Sequence, residues 1–307
     1  MTNWNQRTVA KRMSVTGIGL HSGKAASLAL APAAPDSGIT FIRTDLGAEI
    51  PARADLVVDT LLSTSLGKGQ ARVATVEHVL AALSGLGIDN CRIEVDGPEV
   101  PILDGSSAPF VWLVREAGVE RQRAGKRFLV IDQPVEIRHG EKLARLDPAS
   151  EMSVRFTVDF DHPLVTDQTY EFHLSGGRFA REVAPARTFC FLRDIEHMKS
   201  KGLAQGGSLD NAIVIDEFSI LNPEGLRFPD EFARHKVLDA IGDLSLIGMP
   251  IIGALTAFKS GHAMNQGLVR KVLASPASHR VVQVTEEAGL EPLRMRLPAL
   301  GPIEGHA

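Results

Sequence analysis

Val237-Leu238-Asp239-Ala240-Ile241-Gly242-Asp243-Leu244 repeats, 158 residues later, the pattern of Val79-Leu80-Ala81-Ala82-Leu83-Ser84-Gly85-Leu86. Four of the eight positions are identical. In the earlier copy Val76, Val79, Leu80 and Leu83 fall three and four apart, the spacing of one helix face. Thr75 reads as the N-cap of that helix, and Gly85 and Gly87 as its stop. Each copy is followed by a strand-like segment, residues 90–95 and 251–259, and then by a helix, residues 107–116 and about 265–273. Such a recurrence predicts two copies of a sheet-plus-helices unit with a cleft between them. Ala- and Leu-rich helices also coincide by chance, and eight residues alone leave both explanations open.

Outward from these helices, the chain has 307 residues, 44% hydrophobic and 23% charged, which suits a globular protein of two domains. The charged run at 121–127 reads as a flexible boundary, giving domains 1–124 and 125–307. Residues 7–20, 24–30 and 38–45 are β-rich and broken by Gly and Pro. Met152, Val154, Phe156, Val158 and Phe160 alternate as a half-buried strand should. The second copy's helix is predicted over 230–247. Residues 191–216 have no counterpart in the first half: a helix (194–201), a Gly-rich turn and a strand (212–215) read as a β-α-β-like insertion. The fold class expected is α+β.

The net charge of −4 supplies no basic field for nucleic acid. Two cysteines, Cys91 and Cys190, form no C-x-x-C pair. No N-terminal leader and no apolar run of about 18 residues is visible. A cytoplasmic monomer without stable membrane insertion is therefore expected, acting on a small molecule.

The chemistry concentrates on the second helix. His235 and Asp239 are four residues apart, on one helix face, and Asp243 continues the stripe. The rest of the helix is apolar nearly all round, with Phe232, Val237, Leu238, Ile241 and Leu244. A helix like that is buried, and buried charge needs a partner. A metal ion meets the need; a solvated, salt-bridged face is the other reading of this segment. Catalytic zinc takes three protein ligands, and His78 is the third candidate. Its neighbour Glu77 is placed to take a proton from a water. Small residues one turn on, Ala81, Ala82, Ser84 and Gly85, admit a second element. His262, in a Ser-Gly-His turn, suits an imidazolium held by Asp243, and Thr188 offers a hydroxyl to polarise a carbonyl. Other motifs fail. H-E-x-x-H is absent, and Gly19-Leu20-His21-Ser22-Gly23-Lys24 has the wrong glycine spacing for a P-loop.

Taken together, seven stretches in order resemble the UDP-3-O-acyl-N-acetylglucosamine deacetylases of lipid A synthesis in Gram-negative bacteria. They are Gly17-Ile18-Gly19-Leu20-His21-Ser22-Gly23-Lys24, Thr75-Val76-Glu77-His78-Val79-Leu80-Ala81-Ala82-Leu83, Pro101-Ile102-Leu103-Asp104-Gly105-Ser106, Ala186-Arg187-Thr188-Phe189, Gly225-Leu226-Arg227-Phe228, the residues 235–244 and Lys259-Ser260-Gly261-His262-Ala263-Met264-Asn265. The resemblance implies two similar domains facing each other across the active site, and hydrolysis of the N-acetyl group of a UDP-linked, 3-O-acylated sugar. It implies His78, His235 and Asp239 as ligands of Zn2+, with Fe2+ also suited to such a set. Glu77 would be the general base, His262 the cationic acid oriented by Asp243, and Thr188 the oxyanion donor. Lys236 would contact sugar or phosphate, Phe160 stack on uracil, and Lys259 meet the diphosphate. His21 and Phe189 match positions near the hexosamine. The insertion, from Phe191 on, would form the acyl passage, lined by Ile195, Met198, Leu203 and Val214. Ser63 stands where some members carry a cysteine near the metal. Rival readings are a metal amidase for another N-acyl sugar or peptide, and a non-enzymatic sugar-nucleotide binder with a structural zinc.

Overall fold

A computed structural model describes residues 4–284. Its two principal sheets share one topology. In the first, strands run in the order Met13–Ile18, Ala25–Ala31, Cys91–Val95, Ile39–Arg43, Ala48–Pro51. The Cys91–Val95 strand is antiparallel to Ala25–Ala31 and parallel to Ile39–Arg43. In the second, Val135–His139, Lys142–Asp147, Ile251–Phe258, Met152–Val158 and Gln168–His173 follow the same order. Here too the central strand is antiparallel to one neighbour and parallel to the other. Two more strands, Arg127–Ile131 and His279–Gln283, extend the second sheet. The eight-residue recurrence is thus part of a duplicated unit rather than a coincidence of composition.

Each central strand lies between two helices in the chain. Helix α1, Glu77–Leu86, precedes the first and α2, Ala108–Ala117, follows it. The second copy has α4, Glu231–Leu244, and α5, His262–Leu273. Helix α3, Leu192–Ser200, belongs to the insertion. There the strands Phe189–Phe191 and Ile213–Ile215 pair in parallel around α3, a β-α-β unit as expected. All three of its elements are short, and α3 buries no residue.

Helices α1 and α4 are buried almost throughout and pack on each other. Their crossing is tight at Gly242, where a Cβ would overlap the Glu77 carbonyl. The start of α1 is thereby pressed against the stretch of α4 that carries His235 and Asp239. Helix α4 also packs on Met152–Val158, whose Met152, Val154, Phe156 and Val158 all point inward. No helix of the described residues is long and apolar enough to cross a membrane.

Several sequence expectations are corrected. Thr75 is not a helix cap: α1 begins at Glu77, and Thr75 has φ 58° with its hydroxyl donating to Glu99 Oε1 at 3.2 Å. Residues 121–127 are no flexible linker. Val119–Gly125 is a strand paired with Asn5–Val9, and Lys126 is buried in an ion pair with Asp89 at 2.9 Å. Charge alone hid a residue whose partner is distant in sequence. The alternating strand ends at Val158, and Phe160 sits beyond it, 39% exposed. Helix α4 stops at Leu244, with a 3-10 turn over Ser245–Ile247, and α5 starts three residues early, at His262.

Candidate active site

His78 on α1 and His235 and Asp239 on α4 meet in the core. One donor atom from each lies within 4.8 Å of the others. Asp239 Oδ1 is 3.4 Å from His235 Nε2 and 3.6 Å from His78 Nε2. A tetrahedral ion with ligands about 2.0–2.1 Å away separates neighbouring donor atoms by about 3.3–3.4 Å, so the spacing fits. Asp239 Oδ1 is buried with no hydrogen-bond partner among the described residues. A buried carboxylate oxygen in that position suits a cation. The other oxygen, Oδ2, accepts from Lys236 Nζ at 2.7 Å.

The protonation states also suit a metal. His235 donates its Nδ1–H to the Ala186 carbonyl at 3.1 Å, which directs the Nε2 lone pair at the cluster. Burial drives its pKa down to about 3, so the ring is neutral. Burial works against the charge of Asp239, but His235, Lys236 and His78 outweigh it and hold the carboxyl well below the usual range.

Beside this triad sit a carboxylate and an imidazole. Glu77 is buried, and burial pushes its pKa up against the pull of His262 and His78. Its Oε2 accepts from the Thr64 backbone N–H at 3.0 Å. Its Oε1 is 3.9 Å from His262 Nε2. His262 donates Nδ1–H to Asp243 Oδ2 at 2.9 Å. Burial would lower the His262 pKa, but the charge and hydrogen bond of Asp243, with Glu77 adding to them, push it up to about 9. At neutral pH the ring is an imidazolium.

A group whose pKa rises on folding stabilises the fold below its unfolded value, and loses that contribution as pH climbs through the folded one. His262→Gln is therefore expected to lower the melting temperature most below the ordinary imidazole value of 6.5, and to converge on the parent as pH passes about 9. Thermal denaturation at stepped pH checks this. A gap that stays constant across the range would mean that His262 is not an imidazolium.

The remaining predicted residues fall into two groups. Phe189, Phe160, Phe191 and Lys236 gather beside His235. Phe189 lies edge-on to His235 at 6.3 Å between centroids and to Phe160 at 5.8 Å. Phe160 also meets Phe191 at 5.4 Å, and Lys236 Nζ stands 5.5 Å from the Phe189 ring. Lys259 is at the same strand end, with its Nζ 2.8 Å from Asp159 and 3.3 Å from Glu141. The second group surrounds His21, whose buried Nε2 has no partner among the described residues. The turn of the insertion docks here: Gln205 N–H donates to the His21 carbonyl and Gly206 N–H to that of Leu20, at 3.1 and 2.9 Å. Thr188 is tied by its N–H to the Gly105 carbonyl at 2.8 Å, and no described residue bonds its hydroxyl. Ile195, Met198 and Leu203 are half-buried and Val214 is buried.

A family model described as UDP-3-O-acyl N-acetylglycosamine deacetylase matches residues 6–274. The chain belongs to that family. It is 71% identical to the UDP-3-O-acyl-N-acetylglucosamine deacetylase of Anaeromyxobacter dehalogenans (strain 2CP-C) over 307 residues, the whole of both chains. Identity is 72% over 301 residues to the protein of that name from Anaeromyxobacter sp. (strain Fw109-5), covering 97% of this chain and 99% of the relative. The Myxococcus xanthus (strain DK1622) protein of the same name is 56% identical over 283 residues, 92% of this chain and 90% of its own length.

For a member of this deacetylase family, the structure adds residues that the sequence reading left without a role. Asp243 is held by Thr64 Oγ1 at 2.6 Å, Asn265 Nδ2 at 2.9 Å and Gln266 Nε2 at 3.4 Å. Arg187 is buried and donates Nε to Glu231 Oε1 at 2.9 Å, anchoring the segment that carries Ala186 and Thr188 to the first turn of α4. The signal for Glu231 was available, since a carboxylate on a helix apolar nearly all round requires a partner. Thr64 gave none: one of three consecutive hydroxyl residues in the run Leu61-Leu62-Ser63-Thr64-Ser65, it has no period to betray it.

Proposed function

We propose that this chain hydrolyses the N-acetyl group of a UDP-linked, 3-O-acylated N-acetylglucosamine, releasing acetate and UDP-3-O-acyl-glucosamine for lipid A synthesis. The observation that carries the reading is Asp239 Oδ1, which no described residue hydrogen-bonds, facing the imidazoles of His78 and His235 beside the buried Glu77 and His262. His78, His235 and Asp239 would hold a divalent ion, zinc or ferrous iron, since both accept two imidazoles and a carboxylate. Such an ion supplies Lewis acidity to a water and to an acyl oxygen.

The chain's own groups do the rest. Glu77, fixed through Oε2, presents Oε1 to the site and takes a proton from the attacking water. As the new C–O bond forms, the Thr188 hydroxyl donates to the developing oxyanion. His262, protonated and held by Asp243, is poised on the far side of Glu77. A proton from His262 or from Glu77 reaches the amine nitrogen as the C–N bond breaks, leaving a carboxylic acid and a free amine. Lys236, Phe160, Lys259, His21, Phe189 and Phe191 would meet the UDP-sugar, and Ile195, Met198, Leu203 and Val214 the acyl chain. In this reading the duplicated units correspond to domains 1–124 and 125–307, whose outer ends lie beyond the described residues, and the enzyme works as a cytoplasmic monomer.

Acetate release should be abolished by a chelator and restored by added zinc or ferrous iron, with one metal per chain by elemental analysis. Activity should collapse on a UDP-sugar lacking the 3-O-acyl group. Chelator-resistant turnover would overturn the metal assignment, and full activity on the deacylated sugar would point to another N-acyl substrate.

A further inference from the structure

Thr64 lies in the loop between strands Val57–Asp59 and Ser65–Lys68 and is fully buried. Three of its groups are committed. Its carbonyl accepts from Val76 N–H, just before α1, at 3.2 Å. Its N–H donates to Glu77 Oε2 at 3.0 Å. Its hydroxyl reaches 179 residues along the chain to Asp243 Oδ1 at 2.6 Å. A carboxylate only accepts, so the hydroxyl proton is directed at Asp243. Asp243 Oδ2 takes His262 Nδ1–H and Asn265 Nδ2, each at 2.9 Å. With the Thr64 hydroxyl removed, Oδ1 would retain Gln266 Nε2 at 3.4 Å, an amide that also serves the Asp243 carbonyl at 3.2 Å.

We propose that Thr64 is a positioning residue that locks the base and the acid of the reaction into one relation, its N–H orienting Glu77 and its hydroxyl orienting Asp243 and, through it, His262. The proposal rests on the roles given above to Glu77 and His262. Anchoring Oε2 of Glu77 leaves Oε1 as the oxygen nearest His262. Anchoring Oδ1 of Asp243 fixes its plane, and so the direction in which the imidazole presents Nε2. A single residue of the first half thus sets geometry on both helices, at a site where small misplacements are costly in rate.

Thr64→Val keeps the volume and the backbone N–H but removes the hydroxyl; Thr64→Ser keeps the hydroxyl. In metal-loaded full-length enzyme, Thr64→Val should lower kcat by roughly 10- to 100-fold, the range for a hydrogen bond to a charged group, with KM and metal content unchanged. Thr64→Ser should recover most of that loss. A second readout needs no substrate. In protein labelled with 15N-histidine, the His262 Nδ1 proton should resonate downfield through its bond to Asp243, and should move upfield or broaden in Thr64→Val. That signal judges Thr64 even if the parent enzyme releases no acetate, which would sink the functional reading instead. A Thr64→Val enzyme with parental kcat and an unmoved resonance overturns the proposal. So does an equal loss in both variants accompanied by lower metal content and melting temperature, which would make Thr64 a packing residue only.

Discussion

Glu77→Ala is expected to slow turnover by roughly 10²–10⁴-fold, the usual span for removing a general base, while the protein keeps its metal. The side chain is buried, and among the described residues its one hydrogen bond is from the Thr64 backbone N–H to Oε2. Removing it leaves His78, His235 and Asp239 in place, because none of them uses Glu77 as a hydrogen-bond partner. Stability should hold or rise, since a buried carboxylate whose pKa is raised by desolvation is a burden on the folded state. Steady-state kinetics with elemental analysis and a melting curve on one preparation separate these effects. Near-parental turnover with metal retained would remove Glu77 from the scheme. Loss of metal in parallel with activity would recast it as part of the ligand set.

Gly242→Ala should damage both the fold and the reaction. Within a helix this exchange ordinarily stabilises by about 1 kcal/mol, because glycine is the poorer helix former. Here the sign reverses. The added methyl would meet the backbone of Glu77, which is part of α1 and cannot swing aside as a side-chain tip could. Overpacking of this kind costs about 1–3 kcal/mol, so denaturant unfolding should show a net loss. The displacement falls on the residue that bears the base and on the neighbour of His78. A shift near 1 Å there is worth about 10²-fold in rate. A variant as stable and as active as the parent would show that the two helices do not cross at Gly242.

The eight-residue segments kept their apolar period and so hinted at a duplication that the shared strand order of the two sheets then decided, while the α+β class was legible because each segment is followed by a strand and a helix. The candidate metal triad was legible for a related reason: His235 and Asp239 sit on a helix otherwise too apolar to face water. What escaped were other pairings made across the fold. Lys126 belongs to a charged run and reads as solvated, yet its partner is Asp89. Thr75 has the right chemistry for a cap, but its positive φ turns the hydroxyl toward Glu99. Phe160 kept the parity of its strand beyond the strand's end. Periodicity reports which face of an element is apolar. It is silent on which polar group from a distant segment will arrive there.

In the shared topology, Glu77 of α1 occupies the place that His235 takes in α4, and Ala81 and Gly85 stand where α4 has Asp239 and Asp243. A single unit with either helix would carry one of the proposed ligands or two, and never both the proposed base and the partner of the proposed acid. The proposed chemistry is therefore complete only where the two units meet, each supplying what the other lacks. Neither half can now be replaced by a duplicate of its sibling.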